Sequence, residues 1–161
     1  MIKFLYMEPK KYINFKDFYS NADSFAEIIN KKFLNIENAR KIIFARELFT
    51  KDLLNSYFIA GFLSVDVKGL LGSNTNILKF SMDNMIKNQL AHPEVTYEDY
   101  QKIPLIIKSP SKYFKSKNGY DVILFKEDES FYKLVIKTTK NRKENFVKSL
   151  HLLNKDRYNK Y

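Results

Sequence analysis

Apolar residues in the first third of the chain recur with the spacing of an amphipathic helix. In the stretch "NADSFAEIINKKFL" they follow an i, i+3, i+4, i+8 pattern, and Asp23 or Ser24 is available as the N-cap. The next stretch, "IENARKIIFARELFTKDLLNSYF", continues the helical pattern and contains neither Gly nor Pro. The pattern predicts two helices, over roughly residues 24–34 and 36–56.

The pattern loosens between Tyr57 and Phe80, where glycines separate β-prone segments. The segments "YFIAGFLSVDV" and "NILKF" predict a strand, a turn region and a short second strand. Ser81 then has the position of an N-cap for a helix over about residues 82–91, and Pro93 ends that helix.

A second helix start follows directly. Thr96 and Asp99, three residues apart, have the form of a capping box with Asp in place of Glu. The helix body, "YEDYQKIPLIIK", contains Pro104, so we expect a kink there or a helix that ends early, and Pro110 closes the segment.

From residue 112 onward the apolar period changes to two, which is typical of strands. Segments 120–126, 131–139 and 144–153 are joined by the polar turns "EDES" and "KNRK", and they predict an antiparallel meander. Alternation places two sets of side chains each on one face: Lys133, Val135, Lys137 and Thr139 of the middle strand, and Val147, Ser149, His151 and Leu153 of the last.

These elements predict an α+β protein. We distinguish an N-terminal helical region, 1–60, from an α+β region, 61–161, and expect one compact folding unit because the chain has only 161 residues. Hydrophobic residues make up 45% of the chain, which is enough to build a core.

Composition narrows the chemistry. The chain has no Cys, which excludes disulfides, zinc–thiolate sites and a cysteine nucleophile. The start, "MIKFLYMEPKKYINF", lacks the features of a signal peptide, and no apolar run of about 18 residues occurs. We therefore expect a cytoplasmic protein that does not enter a membrane.

The net charge of +10 is concentrated in the last third of the chain. Residues 101–161 carry 15 Lys and Arg against 6 Asp and Glu, whereas residues 1–100 carry 13 against 12. This asymmetry indicates a polyanionic partner, with nucleic acid ahead of membrane because no basic amphipathic helix stands out. A solubilising basic surface is the alternative explanation.

His92 is one of only two histidines, and it directly follows a predicted helix. An imidazole there would be reachable by solvent, and its ordinary pKa suits proton transfer near neutrality. The structural alternative is a residue that caps the negative end of the helix.

Three residues in the predicted meander are further candidates. Lys137 lies mid-strand, where an ammonium group can stabilise the developing charge of a phosphate, although such a lysine often only reaches into water. Ser149 and His151 share a face of the last strand and offer a hydroxyl and a second titrating group, but an exposed strand needs no function to carry them.

Metal and phosphate-loop motifs are absent from the sequence. With two His and no Cys, the chain shows no HExxH, EF-hand or paired-carboxylate spacing, so we expect no catalytic metal and no cofactor. The stretch "GLLGSNTN" fits neither nucleotide-binding glycine pattern and predicts a turn.

Residues from about 70 to 157 resemble the phage-type branch of the barnase/EndoU/colicin/RelE-like (BECR) nuclease superfamily, found in Mu-like phage head-morphogenesis proteins and toxin-like proteins. The resemblance rests on "LLGSNTNILKFSMDNMIKNQLAHPEVTYEDYQKIPLIIKSP", on "FYKLVIKTTK" and on "ENFVKSLHLL". The His-Pro step, the strand lysine and the last-strand serine stand in the order that the family has.

The resemblance implies N-terminal helices packed on a four- to five-stranded antiparallel sheet, and a metal-independent endoribonuclease that uses attack of the RNA 2′-hydroxyl on the adjacent phosphate. It implies His92 as acid or base, Lys137 for charge stabilisation, Ser149 and Thr139 on the phosphate, and His151 as the second proton-transfer group. The residues expected to hold the RNA backbone are Lys87, Lys140, Arg142 and Lys148.

RNA is the expected partner, with tRNA as one candidate, and a toxin would also need an acidic antitoxin or immunity protein to cover its basic face. Two alternatives remain open. One is a nucleic-acid-binding module that does not cut, with Tyr113, Phe114, Tyr120 and Tyr132 as stacking surfaces. The other is a virion or interaction component that keeps the fold as a scaffold.

Overall fold

The computed structural model describes residues 10–161, so residues 1–9 of the predicted helical region lie outside the described residues. The protein is α+β. Its strands are β1 (Lys11–Tyr12), β2 (Tyr57–Phe62), β3 (Ile77–Ser81), β4 (Lys112–Lys115), β5 (Asp121–Glu127), β6 (Phe131–Thr138) and β7 (Asn145–Leu153). Its helices are α1 (Phe15–Lys32), α2 (Asn38–Leu48), α3 (Lys51–Leu54), α4 (Val65–Leu71), α5 (Met82–Ala91), α6 (Tyr97–Tyr100), α7 (Ile103–Lys108) and α8 (Lys155–Asn159).

The strands form one mixed sheet of seven strands in the order β1-β2-β3-β7-β6-β5-β4. The predicted meander of three strands is present, since β5, β6 and β7 pair antiparallel in sequence order, and β4 adds a fourth antiparallel strand that is not among those predicted. The expected four- to five-stranded antiparallel sheet is wrong in size and type. The pairs β1–β2 and β3–β7 are parallel, and they join segments far apart in the sequence.

The described chain divides into two compact units. Residues 10–59 and 80–93 form what we call the helical unit, and residues 60–79 and 94–161 form the sheet unit. No helix within residues 10–161 has both the length and the apolar character needed to cross a bilayer.

In the helical unit, α1 packs against α2 and α5 through an apolar surface. The α1 helix starts at Phe15, earlier than predicted, because the Asn14 side chain accepts hydrogen bonds from the first-turn amides. The predicted helix 36–56 is two helices instead, since the chain is extended at Phe49 and Thr50 caps α3. The ring of Phe18 is fully buried in this core.

In the sheet unit, the short helix α7 packs on β5 and β6. Ile106 of α7 is fully buried. The predicted capping box of Thr96 and Asp99 is confirmed at the start of α6. Pro104 does not kink a longer helix, because it lies in the first turn of α7, where a missing amide hydrogen costs nothing.

The face of β5, β6 and β7 that meets α7 is closed and apolar, and we call it the core face. Its central side chains have no solvent exposure: Val122, Leu124, Leu134, Ile136, Val147 and Leu150. The prediction that Val147 shares a face with Ser149 is therefore wrong. Val135 pairs with Ser149 but the next residue, Ile136, pairs with Val147, so Lys148 is the extra residue of a β-bulge.

Candidate active site

The opposite face of the same three strands carries the polar candidates, and we call it the lysine face. Its members, by strand register, are Asp121, Ile123 and Phe125 of β5, Lys133, Val135 and Lys137 of β6, and Phe146, Ser149 and His151 of β7. Asp121 and Phe125 are buried, and the other seven side chains are half-buried. A polar surface with this degree of exposure is accessible to a ligand while its side chains are still held by neighbours.

Ser149 and His151 form a side-chain hydrogen bond on the lysine face. The two residues are separated by one position in β7, so both side chains point to the same side of the sheet. Nε2 of His151 and Oγ of Ser149 share a hydrogen bond of 2.9 Å. The bond fixes the imidazole orientation and links the histidine to a hydroxyl that can turn toward a ligand.

Two lysines of β6 stand beside this pair. Lys133 lies directly opposite His151, and Lys137 lies further along the same face, opposite Phe146. Side chains paired across antiparallel strands have Cβ atoms about 5 Å apart, and diagonal neighbours are about 7–8 Å apart. The register therefore puts two lysine positions on the face of the serine and the histidine, one opposite His151 and one diagonal to Ser149.

The bulge adds a third cation to the lysine face. Nζ of Lys148, the extra residue of β7, donates to Oδ2 of Asp121 on β5 at 2.8 Å. Because β6 lies between these strands, the lysine side chain crosses β6 to reach its partner. Asp121 is buried and also lies directly opposite Lys137 in the register, so this carboxylate forms its ion pair with Lys148 and has a second lysine as its cross-strand neighbour.

The C-terminal segment covers one end of the lysine face. The Tyr161 ring packs on Phe125 at 4.6 Å between centroids, and Tyr158 of α8 is buried in the same cluster. Nζ of Lys133 donates to the Tyr161 hydroxyl at 3.4 Å, and this hydrogen bond lowers the pKa of Tyr161 below its ordinary value. Lys133 is thus held toward the C-terminal segment. Lys137 lies four residues further along β6, opposite Phe146.

Three other predicted site residues lie in the turn between β6 and β7. Oγ1 of Thr139 accepts a hydrogen bond from the amide of Glu144, and Lys140 is exposed. Arg142 has a structural set of contacts: its Nη1 donates to the carbonyls of Leu71 (2.5 Å) and Gly119 (3.1 Å). Its guanidinium also stacks on a tyrosine ring at 4.4 Å. These bonds explain a positive φ of 65° at a residue that is not glycine.

His92 and Lys87 belong to the helical unit. His92 is the C-cap of α5, and its amide donates to the carbonyl of Asn88 at 2.7 Å. Lys87 is half-buried within α5. The backbone role of His92 corresponds to the structural alternative, while the chemical role of its imidazole stays a prediction.

The described residues, 10–161, contain no group of three or more His, Asp or Glu side chains arranged to hold a metal ion. The charged groups that the lysine face brings together are mainly cations with a single buried carboxylate, which is a surface suited to an anion.

Sequence reasoning missed Asp121 and Phe146 as members of the site, and it did not assign Lys133 to the site either. Nothing in the local sequence marks Asp121 or Phe146, since each gains its place only through pairing with Lys137 from a different strand. Lys133 had a signal, because alternation alone puts it on the face of Lys137.

No family model, no curated protein and no solved structure matches the chain.

Proposed function

We propose that the protein is a metal-independent endoribonuclease whose active site is the lysine face. The observation that carries the proposal is the 2.9 Å hydrogen bond between Ser149 and His151 beside Lys133 and Lys137. Cleavage of RNA by its own 2′-hydroxyl needs a proton acceptor, a group that stabilises the phosphorane and a proton donor. A histidine and a hydroxyl amid lysines provide the first two.

In the proposed reaction, neutral His151 removes the proton from the 2′-hydroxyl, and the 2′-oxygen attacks the adjacent phosphorus. Lys137 and Ser149 contact the non-bridging oxygens, where negative charge grows in the transition state. The bond from phosphorus to the 5′-oxygen then breaks, and a proton donor protonates the departing oxygen. The products are a 2′,3′-cyclic phosphate and a free 5′-hydroxyl.

For the proton donor, His92 stays a prediction from the sequence, since His92 belongs to the helical unit and the lysine face to the sheet unit. The finer assignment of the fold to the BECR-like nucleases is part of the same proposal. It is supported by the antiparallel strands that carry Lys137 and Ser149 on one face. An acidic antitoxin or immunity protein is the proposed protein partner, because the last third of the chain carries the excess positive charge.

The first experiment is to incubate the purified protein with total tRNA and with a generic single-stranded RNA in excess EDTA. Products are resolved on a denaturing gel, and their ends are tested for the 2′,3′-cyclic phosphate. His151→Gln and Lys137→Ala should each reduce the cleavage rate by about 100-fold or more. His92→Ala should abolish cleavage while changing the free energy of unfolding by less than about 1 kcal/mol.

The matched control is Lys32→Ala, which removes the same charge from an exposed position of α1 and should leave the rate unchanged. Equal loss of activity in this variant would assign the effect of Lys137 to net charge. Cleavage by the His151→Gln variant at the normal rate would reject His151 as the proton acceptor.

A non-catalytic nucleic-acid-binding module is the second candidate function, favoured by the half-buried aromatic ring of Phe146 beside Lys137. Tight, salt-sensitive RNA binding without any products, in EDTA or with added Mg²⁺, would select this function over the ribonuclease.

A further inference from the structure

One row of side chains across the lysine face alternates cation, aromatic ring and cation. Phe146 of β7 pairs with Lys137 of β6 on one side and with Lys79 of β3 on the other. Adjacent strands lie about 4.8 Å apart, so the two lysines flank the phenylalanine at about one strand spacing each. All three side chains are half-buried, and all belong to the sheet unit.

The position of Phe146 differs from that of Phe125, which lies at the end of the lysine face that the C-terminal segment covers. Phe125 is fully buried there, under Tyr161 and Tyr158. Phe146 instead keeps partial exposure between two charged neighbours. A half-buried ring held in a sheet can serve as a stacking platform for a nucleobase, and flanking lysines are suited to the phosphates on either side of that base.

Lys79 forms an ion pair with Glu144 in the free protein. Its Nζ donates to Oε1 of Glu144 at 3.0 Å, and the Glu144 side chain is 48% exposed. A pair whose acidic partner is exposed to this extent contributes little stability. An incoming phosphate can therefore take the place of the Glu144 carboxylate on Lys79, and Glu144 opposes anion binding in the free protein.

We propose that the substrate of the lysine face is single-stranded RNA, bound with one base stacked on Phe146 and with neighbouring phosphates on Lys137 and Lys79. The inference rests on the proposed function and adds the class of RNA. Stacking on a protein ring requires an unpaired base, since the bases of a duplex are stacked on each other and hidden from the ring. Duplex RNA should therefore bind only through its phosphates.

The test is fluorescence anisotropy in EDTA with a labelled 12-nucleotide single strand and with the matching duplex, using His151→Gln so that cleavage of the RNA is slowed. The single strand should bind about tenfold or more tightly than the duplex. Phe146→Leu should weaken single-strand binding by about tenfold and leave duplex binding unchanged, because the stacking contribution of one base is lost. Phe146→Tyr keeps a ring and should bind as the parent does.

Glu144→Gln is the second variant, and it should strengthen binding of the single strand by removing the negative charge beside Lys79. The melting temperature of each variant, followed by circular dichroism, identifies any loss of affinity that comes from unfolding. Equal affinity for single strand and duplex, or a folded Phe146→Leu protein with unchanged single-strand affinity, would overturn the inference.

The inference and the proposed function can fail separately. A protein whose native form never cleaves, but whose single-strand binding depends on Phe146, keeps the inference and loses the ribonuclease. A protein that cleaves single-stranded and duplex RNA equally, with no effect of Phe146→Leu, keeps the ribonuclease and loses the inference.

Discussion

The two faces of strands β5, β6 and β7 are built from alternate residues of the same chain segments and differ in almost every property. On the core face, Leu134 and its neighbours have no exposure and are packed under α7. On the lysine face, the adjacent residues Lys133 and Val135 are half-buried. One residue of displacement along β6 thus separates a closed apolar interior from a charged surface.

This difference separates the residues that stabilise the sheet from those that are available for chemistry. Apolar burial contributes about 25 cal/mol per Å² of area removed from water, so the core face provides most of the stability of the strands. Half-buried polar side chains contribute little net stability, because water competes for them. Substitutions on the core face should therefore lower stability, whereas substitutions on the lysine face should mainly change RNA binding or cleavage.

The largest effect on stability is expected from Leu134→Ala on the core face. Removing a fully buried leucine side chain leaves a cavity and should lower the free energy of unfolding by about 2–5 kcal/mol. Val135→Ala, one position along β6, should cost less than about 1 kcal/mol because Val135 is already partly in water. Urea unfolding of the two variants measures both values. Equal losses would contradict the division between the faces.

A smaller effect should follow Asp121→Asn, which tests the one buried charge of the lysine face. The Asp121 carboxylate accepts hydrogen bonds from Lys148 and from Asn118. Exchanging it for an amide weakens both bonds and should cost about 1–3 kcal/mol. RNA affinity should rise in the same variant, because the negative charge that contacts Lys148 on the lysine face is gone. Unfolding in urea and anisotropy with RNA, measured together, distinguish the two consequences, and a loss of both would make Asp121 a positioning residue.

The hydroxyl of Tyr132, on the core face, should make the free energy of unfolding depend on pH, by about 1 kcal/mol. Burial raises the pKa of Tyr132, and its hydroxyl donates to Oδ1 of Asp99 at 2.7 Å, which raises the pKa further. Above pH about 10 the unfolded chain loses this proton more readily than the folded protein does, so the contribution to stability is complete below that pH and is lost as the pH rises.

Tyr132→Phe lacks the hydrogen bond and should be less stable than the parent by about 1 kcal/mol near pH 8. The gap between the two proteins should shrink as the pH approaches 11. Urea titrations at pH 8, 9, 10 and 11 give the gap directly, and a constant gap would show that Tyr132 does not titrate differently in the folded state.

The smallest effect on stability is expected for Lys137→Ala. Its side chain is half-buried on the lysine face, so the free energy of unfolding should change by less than about 0.5 kcal/mol while the cleavage rate falls sharply. Thermal unfolding beside the gel assay compares the two. A destabilisation as large as that of Leu134→Ala would mean that the Lys137 side chain stabilises the fold and is not available mainly for chemistry.

Alternation along the chain is sufficient to predict the three meander strands and the shared face of Lys133 and Lys137, because side chains of a strand alternate without reference to its partners. It cannot predict which residue lies opposite Lys137, since that depends on register, and so Asp121 and Phe146 escape detection. The parallel pairings of β1 with β2 and of β3 with β7 escape for the same reason, because each joins segments far apart in the sequence, although the strand β3 itself is predicted.

Simple alternation also fails at a single point in β7. It puts Val147 on the face of Ser149, and the bulge at Lys148 moves Val147 to the core face. Capping signals were more informative, since Ser81 and Thr96 each accept the expected hydrogen bond at a helix start. Such signals are local, so the sequence alone can reveal them, whereas a bulge depends on the neighbouring strand.

The bulge also bears on how such a site can change over generations. Without residue 148, Val147 and Ser149 would continue a regular ladder against Ile136 and Val135, with every side chain on its present face. The extra lysine is thus equivalent to an insertion that adds a cation while replacing no residue of the core. A gene can acquire or lose such a codon in one event, which makes strand length, and not only residue identity, a heritable variable of the charge on this surface.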